Sequence, residues 1–267
     1  MLPSLYQLKR HPLLIRAHFK FTLVLTYAFP SEILRPLLPP GLTLDERQIT
    51  GQPDIGFVAI ALVETDHMRP DFLPAWAGSD FFLSGYRIFS RFQSNNGHNL
   101  RGLRILRSDT DSALMAMAGN MLTHYQYQHS KITRQRTGDR LTISVASPDG
   151  KADLELETDL AGPEELPAGS CFEDKRDALK FAGPLPFTFN YESETNSIIR
   201  VEGVREEWHP RLITANVKKA TYFDQPPFAS AEGGNKNLVS AFYLEGIPYY
   251  WKPGIVEKVQ QKAAEIS

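Results

Sequence analysis

The 267-residue sequence holds a single cysteine, Cys171. One thiol cannot close an intrachain disulfide, so a reducing, cytoplasmic setting is expected. Charge of one sign is also missing. A formal net charge of -2 gives no electrostatic case for nucleic acid, which normally asks for a basic domain, and no such partner is expected. Long uncharged apolar runs are absent too. Lys9 and Arg10 precede an apolar stretch in the manner of a signal peptide, but Arg16, His18 and Lys20 interrupt it. Nothing there can span a bilayer as a helix, so the stretch reads as a first buried strand and no membrane partner is expected.

Motifs for common cofactors are lacking as well. Gly233-Gly234 has neither the lysine nor the hydroxyl spacing of a phosphate-binding loop. His124 and His129 are five apart on a presumed strand and would point to opposite faces, so they cannot share a metal. No metal and no cofactor are therefore expected. Cys171 lies in a charged loop without an obvious histidine partner, a poor setting for a nucleophile. No repeat, low-complexity tract or long linker divides the chain, and residues 1–267 read as one domain.

The chain is rich in strand-like runs. Candidates lie at 19–29, 55–64, 81–93, 100–107, 123–134, 140–147, 152–158, 186–192, 197–206, 211–223 and 238–250. Ser31 caps a short helix through Leu38, which Pro39-Pro40-Gly41 ends. A second helix is expected from Asp109 to Gly119, capped by Asp109 or Thr110 and stopped by the glycine. Residues 161–184 read as a loop with one helical turn. Many short strands with turn signals between them predict a mainly β, antiparallel barrel or sandwich.

Three groups of residues are candidates for chemistry. On a strand over 123–134, Tyr125, Tyr127, His129 and Lys131 share one face; they line a polar pocket or form a solvated strand face. Arg87, in Ser84-Gly85-Tyr86-Arg87-Ile88-Phe89, is a lone cation in an aromatic run. A buried arginine there has either a structural carboxylate partner or an anionic ligand that suits its fork. The adjacent Lys218 and Lys219 have the arrangement that lowers a lysine pKa for Schiff-base chemistry. On a strand, however, neighbours alternate faces, so at least one faces solvent.

Three segments carry a family resemblance. Leu34-Arg35-Pro36-Leu37-Leu38-Pro39-Pro40-Gly41-Leu42-Thr43-Leu44-Asp45 resembles the early helix-and-turn of the acetoacetate decarboxylase-like superfamily. Ala118-Gly119-Asn120-Met121-Leu122-Thr123-His124-Tyr125-Gln126-Tyr127-Gln128 is similar to the glycine-led segment that ends in Tyr-Pro-Lys-Lys in the decarboxylases. Tyr86-Arg87 is similar to an arginine-bearing strand of the superfamily's uncharacterised bacterial branch, the YqjF-like proteins, to which the chain is closest.

The resemblance implies a cone-like antiparallel β-barrel with a few short helices around a central pocket, commonly in a homo-oligomer. In the decarboxylases one of two adjacent lysines forms a Schiff base with a β-keto acid. The motif match puts Tyr127 and Gln128 at those lysines and Gln126 at the proline. An acidic residue of the family falls near Ser84, and a pocket arginine near Lys20. The scaffold is thus retained without the usual nucleophile. The expected ligand is a small organic acid or carbonyl compound, with Lys20, Arg87, Tyr86 and Tyr125 holding it. Tyr127 would donate a hydrogen bond, His129 would act as acid or base, and Lys131 is the one rescue for an imine. A non-catalytic binder or sensor on the same barrel is the alternative.

Overall fold

Apolar, β-branched and aromatic runs build most of the structure, a computed structural model that describes residues 5–48, 51, 53–183, 185–205, 209–230 and 237–259. Helix α1 (Leu5–Leu8) leads to strand β1 (Ile15–Pro30), helix α2 (Ser31–Leu34), β2 (Leu42–Leu44), β3 (Ile55–Pro70), β4 (Ser79–Gln93) and β5 (Asn99–Thr110). Helix α3 (Ala113–Leu122) follows, then β6 (Tyr127–His129), β7 (Lys131–Thr137), β8 (Arg140–Ala146), β9 (Leu154–Asp159) and helix α4 (Lys175–Ala182). The remaining strands are β10 (Phe187–Glu192), β11 (Ser197–Arg205), β12 (Arg211–Leu212), β13 (Ala215–Ala220), β14 (Leu238–Trp251) and β15 (Ile255–Lys258).

The larger of two sheets runs β14-β1-β3-β4-β5-β10-β11. A short pairing of β11 with β14, ending at Arg205 opposite Tyr249, brings its two ends together. The result is the cone-like, mainly antiparallel arrangement expected, although β5 pairs in parallel with β6 and β10. The smaller sheet, β13-β9-β8-β7, packs on the outside of this ring. Val58, Ile60 and Leu62 of β3 share a core there with Ile143, Val145 and Leu154. Their neighbours Ala59, Ala61 and Val63 face the interior of the ring. Burial on both faces explains why this strand is a continuous apolar run rather than an alternating one.

Several local expectations need correction. Helix α3 starts at Ala113 because the Ser112 side chain, not Asp109 or Thr110, accepts from Met115 N. It continues through Gly119, where a Cβ would lie 2.4 Å from the Tyr127 ring. That glycine is an aromatic seat rather than a stop. The strand expected over 123–134 is a bend followed by two short strands, because Gln126 adopts a left-handed φ of 53° and β6 and β7 belong to different sheets. The loop region carries a longer helix than one turn, α4, capped by Asp174. The strand expected over 211–223 breaks into β12, β13 and a 3-10 turn. Gly233-Gly234 and Glu206 lie outside the described residues.

One buried polar network ties the ring to the smaller sheet. Arg107 donates to both Asp109 oxygens (2.9 and 3.0 Å), to Asp149 in the loop after β8 (2.8 and 2.9 Å) and to Gln128 (2.9 Å). Ser130 donates to Asp109 at 2.7 Å. The hydrogen bond from Arg107 holds the Asp149 carboxyl well below the usual carboxylate range. A carboxylate whose folded pKa is depressed contributes fully above its unfolded pKa of about 3.9, and the contribution fades as pH falls through the lower folded value. The stability advantage of the native protein over Asp149→Asn should therefore be constant at neutral pH and shrink below about pH 4. Denaturant melts across pH 2–7 check this; an advantage that grows on acidification would refute it.

Candidate active site

A cavity of about 400 Å³ occupies the interior of the ring. Alternation along β4 turns Phe81, Leu83, Gly85, Arg87 and Phe89 into it. Arg87 stands opposite Ala59, and Gly85 opposite Ala61, in the β3–β4 register. These small residues leave room around the guanidinium; even a Cβ on Gly85 would be 3.5 Å from Arg87 Nε.

The register of β4 against β5 slips between Tyr86 and Arg87. The slip pairs Tyr86 with Arg107 and Arg87 with Ile105. Arg107 consequently meets the carboxylates outside the ring, whereas Arg87 meets none. Arg87 makes no ion pair among the described residues, and its Nε has no hydrogen-bond partner. The guanidinium is enclosed by protein, and the surface it keeps faces the cavity. Burial lowers its pKa, while the nearby Tyr249, Tyr127 and Tyr125 act the other way.

The phenols surround this cation on independent supports. Tyr127 packs its ring on Gly119, and its backbone N–H donates to Asn120 Oδ1 at 2.7 Å while Asn120 Nδ2 donates back to its carbonyl at 2.8 Å. Tyr125 meets Tyr127 edge-on, with ring centroids 6.0 Å apart. Its hydroxyl lies near Asn190 and Thr188 without a hydrogen bond of full geometry. Tyr249 stacks on Phe19 at 4.6 Å, reaches over Gly203 and accepts from Arg205, a second cavity arginine. Burial pushes Tyr125 up to about 12 and raises Tyr127 and Tyr249 as well. All three are neutral donors near pH 7.

Further polar atoms on the wall lack partners: Thr22 Oγ1, Ser84 Oγ and His11 Nδ1. Burial lowers the His11 pKa, so its imidazole is neutral. The third cavity arginine, Arg69, sits toward the rim and donates to the Leu73 and His67 carbonyls. Among the described residues no aspartate, glutamate or lysine lines the cavity. The site is thus rich in donors, positive and otherwise apolar, a setting in which an anion or a developing oxyanion is strongly stabilised.

Of the residues singled out in the sequence, Arg87, Tyr125 and Tyr127 converge here. Tyr86 does not: it is fully buried on the other face of β4, stacked on Tyr222 at 4.0 Å. Lys20 sits at a register slip of β1 between Phe19 and Phe21, points outward and lies 3.9 Å from Asp66. It cannot anchor a ligand in the cavity. His129 and Lys131 are exposed and off the cavity wall, because the left-handed turn at Gln126 and the change of sheet after β6 break the common face. Gln128 turns away to Arg107. Lys218 and Lys219 are both exposed, on either side of the expected alternation, because β13 has a bulge there; they pair with Glu157 and Asp153. Burial raises the Cys171 thiol pKa, which disfavours a nucleophile. At the surface, Asp66, His67 and Asp80 bring ligand-type atoms within 4.8 Å of one another, a grouping that spacing did not reveal.

A family model for an uncharacterized conserved protein matches residues 16–248. The chain belongs to the DUF2071 family. No relative among curated proteins matches the sequence. The solved structures similar to this DUF2071 protein include the acetoacetate decarboxylase of Legionella pneumophila subsp. pneumophila str. Philadelphia 1, at 12% identity and a TM-score of 0.59 over 91% of this chain and 86% of that one. The enduracididine biosynthesis enzyme MppR, complexed with the condensation product of pyruvate and imidazole 4-carboxaldehyde, aligns at 13% identity and a TM-score of 0.58 over 94% and 91%. An acetoacetate decarboxylase-like enzyme from Sphingomonas wittichii RW1 aligns at 13% identity and 0.57 over 94% of each chain. At these identities the likeness establishes the acetoacetate decarboxylase-like fold.

Sequence reasoning missed Tyr249, Arg205 and His11. The one available signal was that Arg205, like Arg87, is a cation within a β-rich run; its inward direction depends on the β11–β14 pairing, which is not local. Because the Arg87 charge is enclosed without a counter-ion, replacing it with an apolar side chain of similar length should stabilise the fold. Arg87→Met is expected to gain about 1–3 kcal/mol, seen as a rise in melting temperature of roughly 2–4 °C per kcal/mol. A lower melting temperature in the ligand-free variant would count against an uncompensated cation.

Proposed function

We propose that this protein binds a small organic anion, held inside the ring by Arg87 with Tyr125, Tyr127 and Tyr249 as hydrogen-bond donors. The observation that carries the reading is a buried guanidinium that has, among the described residues, no carboxylate partner and no acidic residue on its cavity wall. A carboxylate or a carbonyl-bearing acid supplies the missing charge and accepts from the guanidinium fork and the phenols. No imine takes part in this reading, since Tyr127 and Gln128 stand at the matching lysine positions and no lysine faces the cavity among the described residues. That MppR is complexed with pyruvate in its structure agrees with a small carbonyl acid as the type of ligand for this fold.

A second reading, catalysis, rests on His11. Its neutral imidazole keeps Nδ1 free on the cavity wall, so it can take a proton from carbon next to a carbonyl while Arg87 and the phenols stabilise the enolate.

One set of measurements tests both. Acetoacetate or pyruvate with borohydride should leave the protein mass unchanged, while calorimetry shows either acid binding at least tenfold more weakly to Arg87→Met than to the native chain. A reduced adduct of any lysine would refute the imine-free reading, and equal binding by the variant would remove Arg87 as anchor. Deuterium uptake into the pyruvate methyl group in D2O, lost in His11→Gln, marks the catalytic reading; no uptake above the protein-free rate marks the binder.

A further inference from the structure

We infer that the ligand is a monocarboxylate with an extended apolar tail, of six carbons or more, rather than a compact keto acid; the inference rests on the reading of Arg87 as the anion's anchor. The donor count points to a single anionic group. Arg69 donates to two backbone carbonyls and Arg205 hydrogen-bonds Tyr249, which leaves Arg87 as the cavity arginine whose Nε has no hydrogen-bond partner among the described residues.

The rest of the wall points to what carries that group. The polar atoms around Arg87 come from Tyr125, Tyr127, Tyr249 and Ser84, all close to it in space or register. Beyond them the wall is mainly apolar: Val63 and Leu83 face each other across β3 and β4, and Phe81, Phe19, Met115, Leu114 and Leu122 line the same cavity, with His11, Arg69, Ser79 and Thr123 as polar exceptions. From Arg87 to Phe81 is six residues, about 20 Å of strand at roughly 3.3 Å per residue. A two- or three-carbon acid would fill only the head of such a site. The cavity of about 400 Å³ would then keep most of its apolar wall in contact with water, where burying a tail is favourable.

The test is a titration of the full chain with butanoate, hexanoate and octanoate, beside succinate, pyruvate and 1-octanol. At about 0.8 kcal/mol per buried methylene, each added carbon should tighten binding about fourfold, or roughly fifteenfold per two-carbon step. Octanoate should bind at least tenfold more weakly to Arg87→Met, and Ala61→Phe, which fills the space beside Gly85, should flatten the rise with chain length. Pyruvate or succinate binding more tightly than octanoate, with the Arg87 dependence intact, overturns the tail and leaves the anion pocket standing. No Arg87-dependent binding of any acid, or 1-octanol binding as well as octanoate, removes the anion reading itself and the tail with it.

Discussion

Period-two alternation on strands buried from both sides is the constraint on which this molecule depends. In β1, β3 and β4 one set of side chains builds the core shared with the smaller sheet, and the other set lines the cavity. A one-residue slip in such a strand exchanges the two sets. The slips that occur are therefore consequential. The one at Lys20 delivers its charge to the surface beside Asp66. The one between β4 and β5 sorts two arginines, sending Arg107 to the outer carboxylates and Arg87 to a wall with none among the described residues.

That sorting sets the energetics of the site. Asp109 is fully used by Arg107 and Ser130, so its charge does not neutralise Arg87. Three phenol groups lie close to the guanidinium, but neutral groups replace only part of the hydration a buried cation loses. The fold tolerates the deficit because the surrounding cores are large and well packed, among them Leu23, Leu25, Ile60 and Phe223, all with no exposed surface. The residual attraction is available to whatever anion enters. The donors are also fixed in advance: Tyr127 by Gly119 and Asn120, Tyr249 by Phe19 and Gly203. Side chains already held in place lose little freedom on binding.

Much of the architecture was legible from the sequence because it is written in local pattern. The strand-like runs and their turns give a mainly β ring, and Arg87 stands out as one charge in an aromatic strand. The convergence of Tyr125 and Tyr127 on one pocket with Arg87 was legible too, from period-two spacing and one cation in an aromatic run. What was not legible depends on long-range register. Nothing near Lys20 announces that β1 slips against β3, and nothing in the alternation of Tyr125, Tyr127, His129 and Lys131 announces a left-handed residue at Gln126. Tyr249 and Arg205 meet across the closure of the ring, between strands more than forty positions apart.

The residues that face the cavity limit the kind of chemistry it can support, since no lysine lines it among the described residues. An amine that forms an imine takes up electrons through a covalent bond, and it needs a lowered pKa to do so. Here the Tyr127 phenol has a raised pKa, and Gln128 is drawn out of the cavity by Arg107. Tyr127 can lend a proton to an oxygen but cannot accept an electron pair from carbon. Together with Arg87 it can stabilise negative charge on a carboxylate or an enolate oxygen, which is a weaker demand and suits recognition. In the proposed reading the buried cation draws the anionic group, and the apolar walls around it make the remainder of the ligand a matter of buried surface rather than of further charge.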